Sequence, residues 1–171
     1  REEGLEIDFV PADCSVEDCQ FAHLGGWAVD FGRGCVNNRV AGNTFVDVGA
    51  GCVKVGCTAP PRSPAEETGQ TEICDNDVRS GSLLYLGSPA FLATHSGGNH
   101  IHHNEVQGDF HWAASLGWRW SYYERGWARD NVVEDNHIHH LGGGELGVHA
   151  ALYALGVQPG TLRVWIKGQR Q

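Results

Sequence analysis

The chain has 171 residues and a formal net charge of −9, with 12 Lys and Arg against 21 Asp and Glu. That balance lacks the basic footprint that nucleic acid or an anionic lipid surface would require. Gly supplies 24 residues, about twice its usual share, and Met is absent, which suits neither a helical bundle nor a disordered tail.

No apolar run reaches the roughly 18 residues of a membrane span, and REEGLEIDFV lacks the basic-then-apolar layout of a signal peptide. A soluble chain is expected. Because it opens at Arg1 and carries no Met, it is read as an inner slice of a longer protein, with residues 1–171 forming one domain.

A six-residue frame of apolar, two variable, Asn, one variable and apolar residues organises the chain. It opens as Val16-Cys19-Phe21, with Cys in the Asn place, and is followed by Ala28 to Gly32, an alternating strand. Val40-Asn43-Phe45 comes next, then Val53 to Gly56, which aligns with the preceding strand so that Val29 and Phe31 face inward beside Val53 and Val55. Asp30 then faces outward beside Lys54. A Pro-containing insertion from Thr58 to Thr71 precedes Ile73-Asn76-Val78, and Ala90 to Thr94 continues the second strand. Ile101-Asn104-Val106 leads to Ala114 to Gly117 and to a Trp-rich insertion, Gly117 to Asp130. Val133-Asn136-Ile138 and Leu152 to Gly156 close the series. After Thr161 the tail LRVWIKGQRQ loses the frame.

The frame starts are 24, 33, 28 and 32 residues apart. With a short strand on each side of a turn and no helical periodicity between, this spacing predicts an all-β parallel β-helix of about five coils with few or no helices. Amides in register at one bend would donate and accept along the axis, satisfying buried polar groups coil after coil.

Ten His include two NHIHH strings, Asn99 to His103 and Asn136 to His140. The copies are out of register: Ile101 opens its frame and Ile138 closes the next, which puts His102 beside Glu134 and His137 beside Glu105. No metal is expected from them, because ligands must converge on one point. The HExxH spacing is absent, as is any CxxC pair. Cys19 and Cys74 are expected as small buried residues in stacked positions, while Cys14, Cys35, Cys52 and Cys57 stay undecided.

Trp112, Trp118, Trp120, Tyr122, Tyr123 and Trp127 crowd one stretch, with Tyr153 one coil later. Such rings either pack a core or stack on sugar, and an apolar outer groove with polar groups around it is the place for a ligand. Sugar hydrolysis needs two carboxyl groups at about 5–5.5 Å or about 6.5–9.5 Å. Carboxylates in one column on adjacent coils sit near 4.8 Å, and on alternate coils near twice that. Asp109 and Glu145 are the candidate catalytic pair, with Asp47 two coils from Asp109.

The strings GGWAVDFGRGCVNNRVAGNTFVDVGAGCVKVG, HSGGNHIHHNEVQGDFHWAASLGWRW and NVVEDNHIHHLGGGELGVHAALYALGVQPGT resemble central coils of right-handed parallel β-helix carbohydrate-active proteins, with glycoside hydrolase family 141 as the nearest likeness. The resemblance spans roughly residues 13 to 161. It implies a right-handed single-stranded β-helix acting on fucosides or xylans, secreted or periplasmic, monomeric, without cofactor or metal. The partner would be a polysaccharide or oligosaccharide, not nucleic acid or membrane. It further implies that His111, Trp112, Ser115, Trp118, Trp120, His149 and Tyr153 bind substrate. Relatives carry aspartate where Val148 stands, so hydrolysis is expected to be weakened, since Val cannot move a proton or attack carbon. A polysaccharide lyase on the same architecture, using Ca²⁺ with Arg119, Arg125 or Arg129 as base, and a non-catalytic glycan-binding stalk are the alternatives.

Overall fold

The structure is a computed structural model that describes residues 4–7, 11–108, 110–119, 126–142 and 150–161, together with the backbone of 164–166. Among these residues the fold is all-β, and the sole helical element is a single 3₁₀ turn, Pro64–Glu66. The candidates Asp109, Trp120, Glu145 and His149, together with Tyr122, Tyr123, Arg125 and Val148, lie outside the described residues.

Every strand pairing is parallel. The strands Ser15–Glu17, Arg39–Ala41, Glu72–Cys74 and His100–His102 stack in register, Val16 on Val40 on Ile73 on Ile101. A second column runs through Gln20–Leu24, Thr44–Val48, Asp77–Val78 and Glu105–Gly108, with Phe21 on Phe45 on Val78 on Val106. The strand Val132–Leu141 is long enough to pair with both columns, Val133 beneath Ile101 and Ile138 beneath Val106. A third column links Leu5–Ile7, Val29–Phe31, Val53–Val55, Phe91–Ala93, Trp112–Leu116 and Ala150–Ala154. Each stretch of two to three dozen residues thus contributes one strand to each column, an arrangement consistent with a β-helix. The tail rejoins the stack after the frame is lost, with Val164 beside Val133.

Alternation explains what the columns bury. Val29, Phe31, Val53, Val55, Phe91, Ala93, Ala114 and Leu116 fill the interior from the third column, and Val40, Phe45, Ile73, Val78, Ile101 and Val106 fill it from the other two. Asp30 and Lys54 face outward between them, as alternation predicts, joined by a 2.5 Å ion pair.

The bend between the first two columns carries the expected amide ladder. Asn43 donates through its backbone N–H and Nδ2 to Asn76 Oδ1, both at 3.0 Å. Asn76 does the same to Asn104 at 3.1 and 2.8 Å, and Asn104 to Asn136 at 3.0 and 2.9 Å. Each Nδ2 also donates to a carbonyl one coil back, those of Val16, Val40, Ile73 and Ile101. The residue before each rung, Gly42, Asp75, His103 or Asp135, has positive φ, so the chain turns sharply and aims the amide along the axis.

Cys19 takes the rung place on the first coil, and its N–H donates to Asn43 Oδ1 at 3.0 Å. Its side chain is exposed rather than buried, because the Gln20–Leu24 strand stands at the end of its column among the described residues. Cys74 is buried as expected, and all six cysteines are free thiols.

A second ladder sits five residues upstream. Cys14 N–H donates to Asn38 Oδ1, Thr71 N–H to Asn99 Oδ1, Asn99 N–H to Asn131 Oδ1 and Asn131 N–H to Thr161 Oγ1. The frame reading passed over it because Thr71 and Thr161 break the identity of the column; Thr161 keeps an oxygen acceptor, whereas the buried Thr71 Oγ1 takes no partner among the described residues.

Candidate functional site

The outward positions of the third column form the floor of a groove. The register runs Glu6, Asp30, Lys54, Leu92, Ser115, Tyr153, so the floor is charged at one end and apolar at the other. Above the apolar end lies a cleft of about 490 Å³, within the range of small-ligand sites. Its lining includes Trp27, Lys54, Pro89, Leu92, Ser115 and Tyr153, together with Trp112 and Trp118. A smaller hollow of about 300 Å³, lined by Glu6, Asp30 and Tyr85, adjoins it through the shared residues Trp27 and Ser88.

Four of the substrate-binding candidates, Trp112, Ser115, Trp118 and Tyr153, therefore meet in one cleft. The Trp112 and Tyr153 rings are stacked, with centroids 4.4 Å apart and planes 8° from parallel, a geometry that two quadrupolar rings favour when offset. His111 packs against Trp112, centroid to centroid at 3.9 Å with the planes tilted by 55°. Trp118 is 43% exposed and offers an open face. Among the described residues no acceptor reaches the buried Trp112 Nε1.

Asp47 does not join this site: its carboxylate pairs with His23 Nδ1 at 2.5 Å on the second column. The described lining of the cleft contains no carboxylate. Among the described residues, the acids on the groove floor are Asp30, held by Lys54, and Glu6 one coil further. Sequence reasoning placed Asp30 outward but did not attach it to the groove, since the loop Gly87 to Pro89, which meets Trp27 in the cleft, comes from a distant part of the chain.

Beneath Trp118, the buried His95 shares a small hollow with Arg119 and Trp127. Burial and the neighbouring Arg119 charge lower its pKa from the ordinary 6.5. On the outer face of the first column, Arg39 bonds to Glu72, which lowers the carboxyl pKa, and His102 adds to the effect. Burial, with Asp75 alongside, pushes the Cys74 thiol up to about 11.

The backbone register of the two His strings is as expected, with His102 opposite Glu134 and Glu105 opposite His137. The side chains lean across it. His102 Nε2 bonds to Glu72 Oε1 at 3.0 Å and His100 Nε2 to Glu134 Oε1 at 2.9 Å, whereas Glu105 draws in His139 at 3.2 Å.

No family model matches the chain, and no curated protein does. A solved structure described as "Glycoside hydrolase" superposes with a TM-score of 0.85 at 26% identity, covering 92% of this chain. The chain spans about a quarter of that structure's length, 27%. The fold is thus glycoside hydrolase-like.

Proposed function

We propose that this chain is part of a carbohydrate-active protein of the glycoside hydrolase type, directed at fucosides or xylan. In this reading its strands wind right-handedly as a single-stranded β-helix of about five coils. A sugar ring lies in the cleft against Trp118 and the Trp112–Tyr153 stack. The observation that carries the reading is that stacked pair lining an open cleft beside the exposed Trp118. The likeness in fold to a solved glycoside hydrolase supports it. A monomer outside the cytoplasm, where polymeric glycans are met, fits the same reading.

Asp109 and Glu145 are the proposed acid pair. Asp109 precedes Trp112 by three residues and Glu145 precedes Ala150 by five, and the pairing of Trp112 with Ala150 supports their proposal as a pair. His111, Trp120 and His149 are proposed to bind the sugar with them. With Val148 in the place of an aspartate, hydrolysis is weak. The carboxylate-free lining among the described residues favours a second reading, a groove that binds glycan without cleaving it.

Assay of the full-length protein on aryl fucosides and xylan, with saccharide binding followed by tryptophan fluorescence, separates these outcomes. Saccharide binding with slow turnover that rises in Val148→Asp supports the first reading. Binding with no turnover in either form supports the second. No saccharide binding at all overturns both.

A further inference from the structure

A second constellation lies on another face of the molecule. On the strand Glu72–Cys74, Ile73 is buried in the core, so Glu72 and Cys74 share the outward side. The next strand sets His102 directly opposite Cys74. One donor atom each from Glu72, Cys74 and His102 lies within 4.8 Å of the other two. We propose that Glu72, Cys74 and His102 form a Zn²⁺ site on the outer face of the first strand column.

The donor types choose the ion. A thiolate, an imidazole and a carboxylate suit zinc, whereas Ca²⁺ and Mg²⁺ take oxygen. Bond lengths of about 2.0–2.3 Å in a tetrahedron put donors about 3.5 Å apart. Glu72 Oε1 and His102 Nε2 are already at 3.0 Å, and the thiol closes the remainder by side-chain rotation over a backbone held by its two neighbouring strands. On coordination Cys74 forms the S–Zn bond and its proton passes to solvent.

The surroundings supply what orients such ligands. His102 Nδ1 lies 2.8 Å from His103 Nδ1. When the ion binds, the Nε2 proton that otherwise bonds to Glu72 is given up, Nδ1–H donates to His103, and the Nε2 lone pair is left for the metal. Arg39 bonds to the other Glu72 oxygen and is itself held by Glu17 at 3.0 Å, which fixes the carboxylate and offsets the guanidinium charge. Asp75 lies beside the Cys74 thiol. The group Glu105, His137 and His139 also converges within 4.8 Å, but it has no sulfur and its His137 side chain is 67% exposed.

Cobalt(II) is the probe, added to the full chain after chelator treatment. One Co²⁺ per chain with a thiolate-to-metal charge-transfer band, displaced by Zn²⁺, supports the site. The band vanishes in Cys74→Ser. In His102→Gln the affinity falls by at least about tenfold, with far-ultraviolet circular dichroism unchanged. A band that persists in Cys74→Ser, full affinity in His102→Gln, cobalt bound without sulfur character and released by His139→Gln, or no cobalt bound at all would each overturn the proposal.

Discussion

Trp112 and Tyr153 stack at 4.4 Å although the backbone register sets Trp112 opposite Ala150 and Tyr153 opposite Ser115. The rings lean across the strand direction to meet, and in doing so raise one wall of the cleft. His111 packs against the indole.

Removing half of the stack therefore tests the cleft. Tyr153→Ala leaves Trp112 without its partner, so saccharide affinity is expected to fall about tenfold, in line with about 1 to 1.5 kcal/mol for an aromatic contact. Titration followed by tryptophan fluorescence measures it. Unaltered affinity would move the ligand away from this wall.

The amide ladder predicts a steep stability cost. Asn76→Ala strips the acceptor from the Asn43 N–H and Nδ2 and the amide donor from Val40 O, all inside the stack, while Asn104 Oδ1 keeps the backbone N–H of residue 76. Unsatisfied buried groups cost about 1–3 kcal/mol each, so about 3 kcal/mol in total is expected. Gln20, exposed on the Gln20–Leu24 strand, serves as the control: its Ala variant should shift the urea midpoint little. Equal effects from the two would contradict the ladder.

Gly117 sits at the cleft with φ +89°, and a Cβ there would meet Leu155 O at 2.3 Å. Gly117→Ala meets both backbone strain of about 1–2 kcal/mol and a collision with main chain that cannot swing aside. Chemical denaturation should show a loss of about 2 kcal/mol or more. Gly87→Ala, with nothing within 4 Å of its Cβ, should stay near wild type.

His95 predicts an acid-side weakness. Its folded pKa lies below 6.5, so as pH falls through about 6.5 the unfolded chain takes up a proton that the folded chain refuses, and each step down favours unfolding. The loss levels off once pH is below the folded value. Melting temperatures of wild type and His95→Gln between pH 8 and 5 isolate the effect, since the variant keeps every other titrating pair. A wild-type curve parallel to that of the variant would count against a buried neutral imidazole.

The sequence by itself determined the winding: Asn43, Asn76, Asn104 and Asn136 recur at a coil's length because each must satisfy the backbone of the coil before it, and Val, Ile and Phe alternate because each strand has one inward face. Period and alternation are local properties, so they can be counted along the chain. The second ladder was equally present, but Thr71 and Thr161 stand where Asn would repeat, so the column shows no single letter. What only the tertiary structure decided is which outward residues meet. Trp27 and Pro89 reach the cleft through turns of no fixed length, and His102 bonds to Glu72 rather than to its register partner Glu134 because side chains lean diagonally across strands about 4.8 Å apart. Register places Cα atoms, but the torsions of the side chains choose the partner.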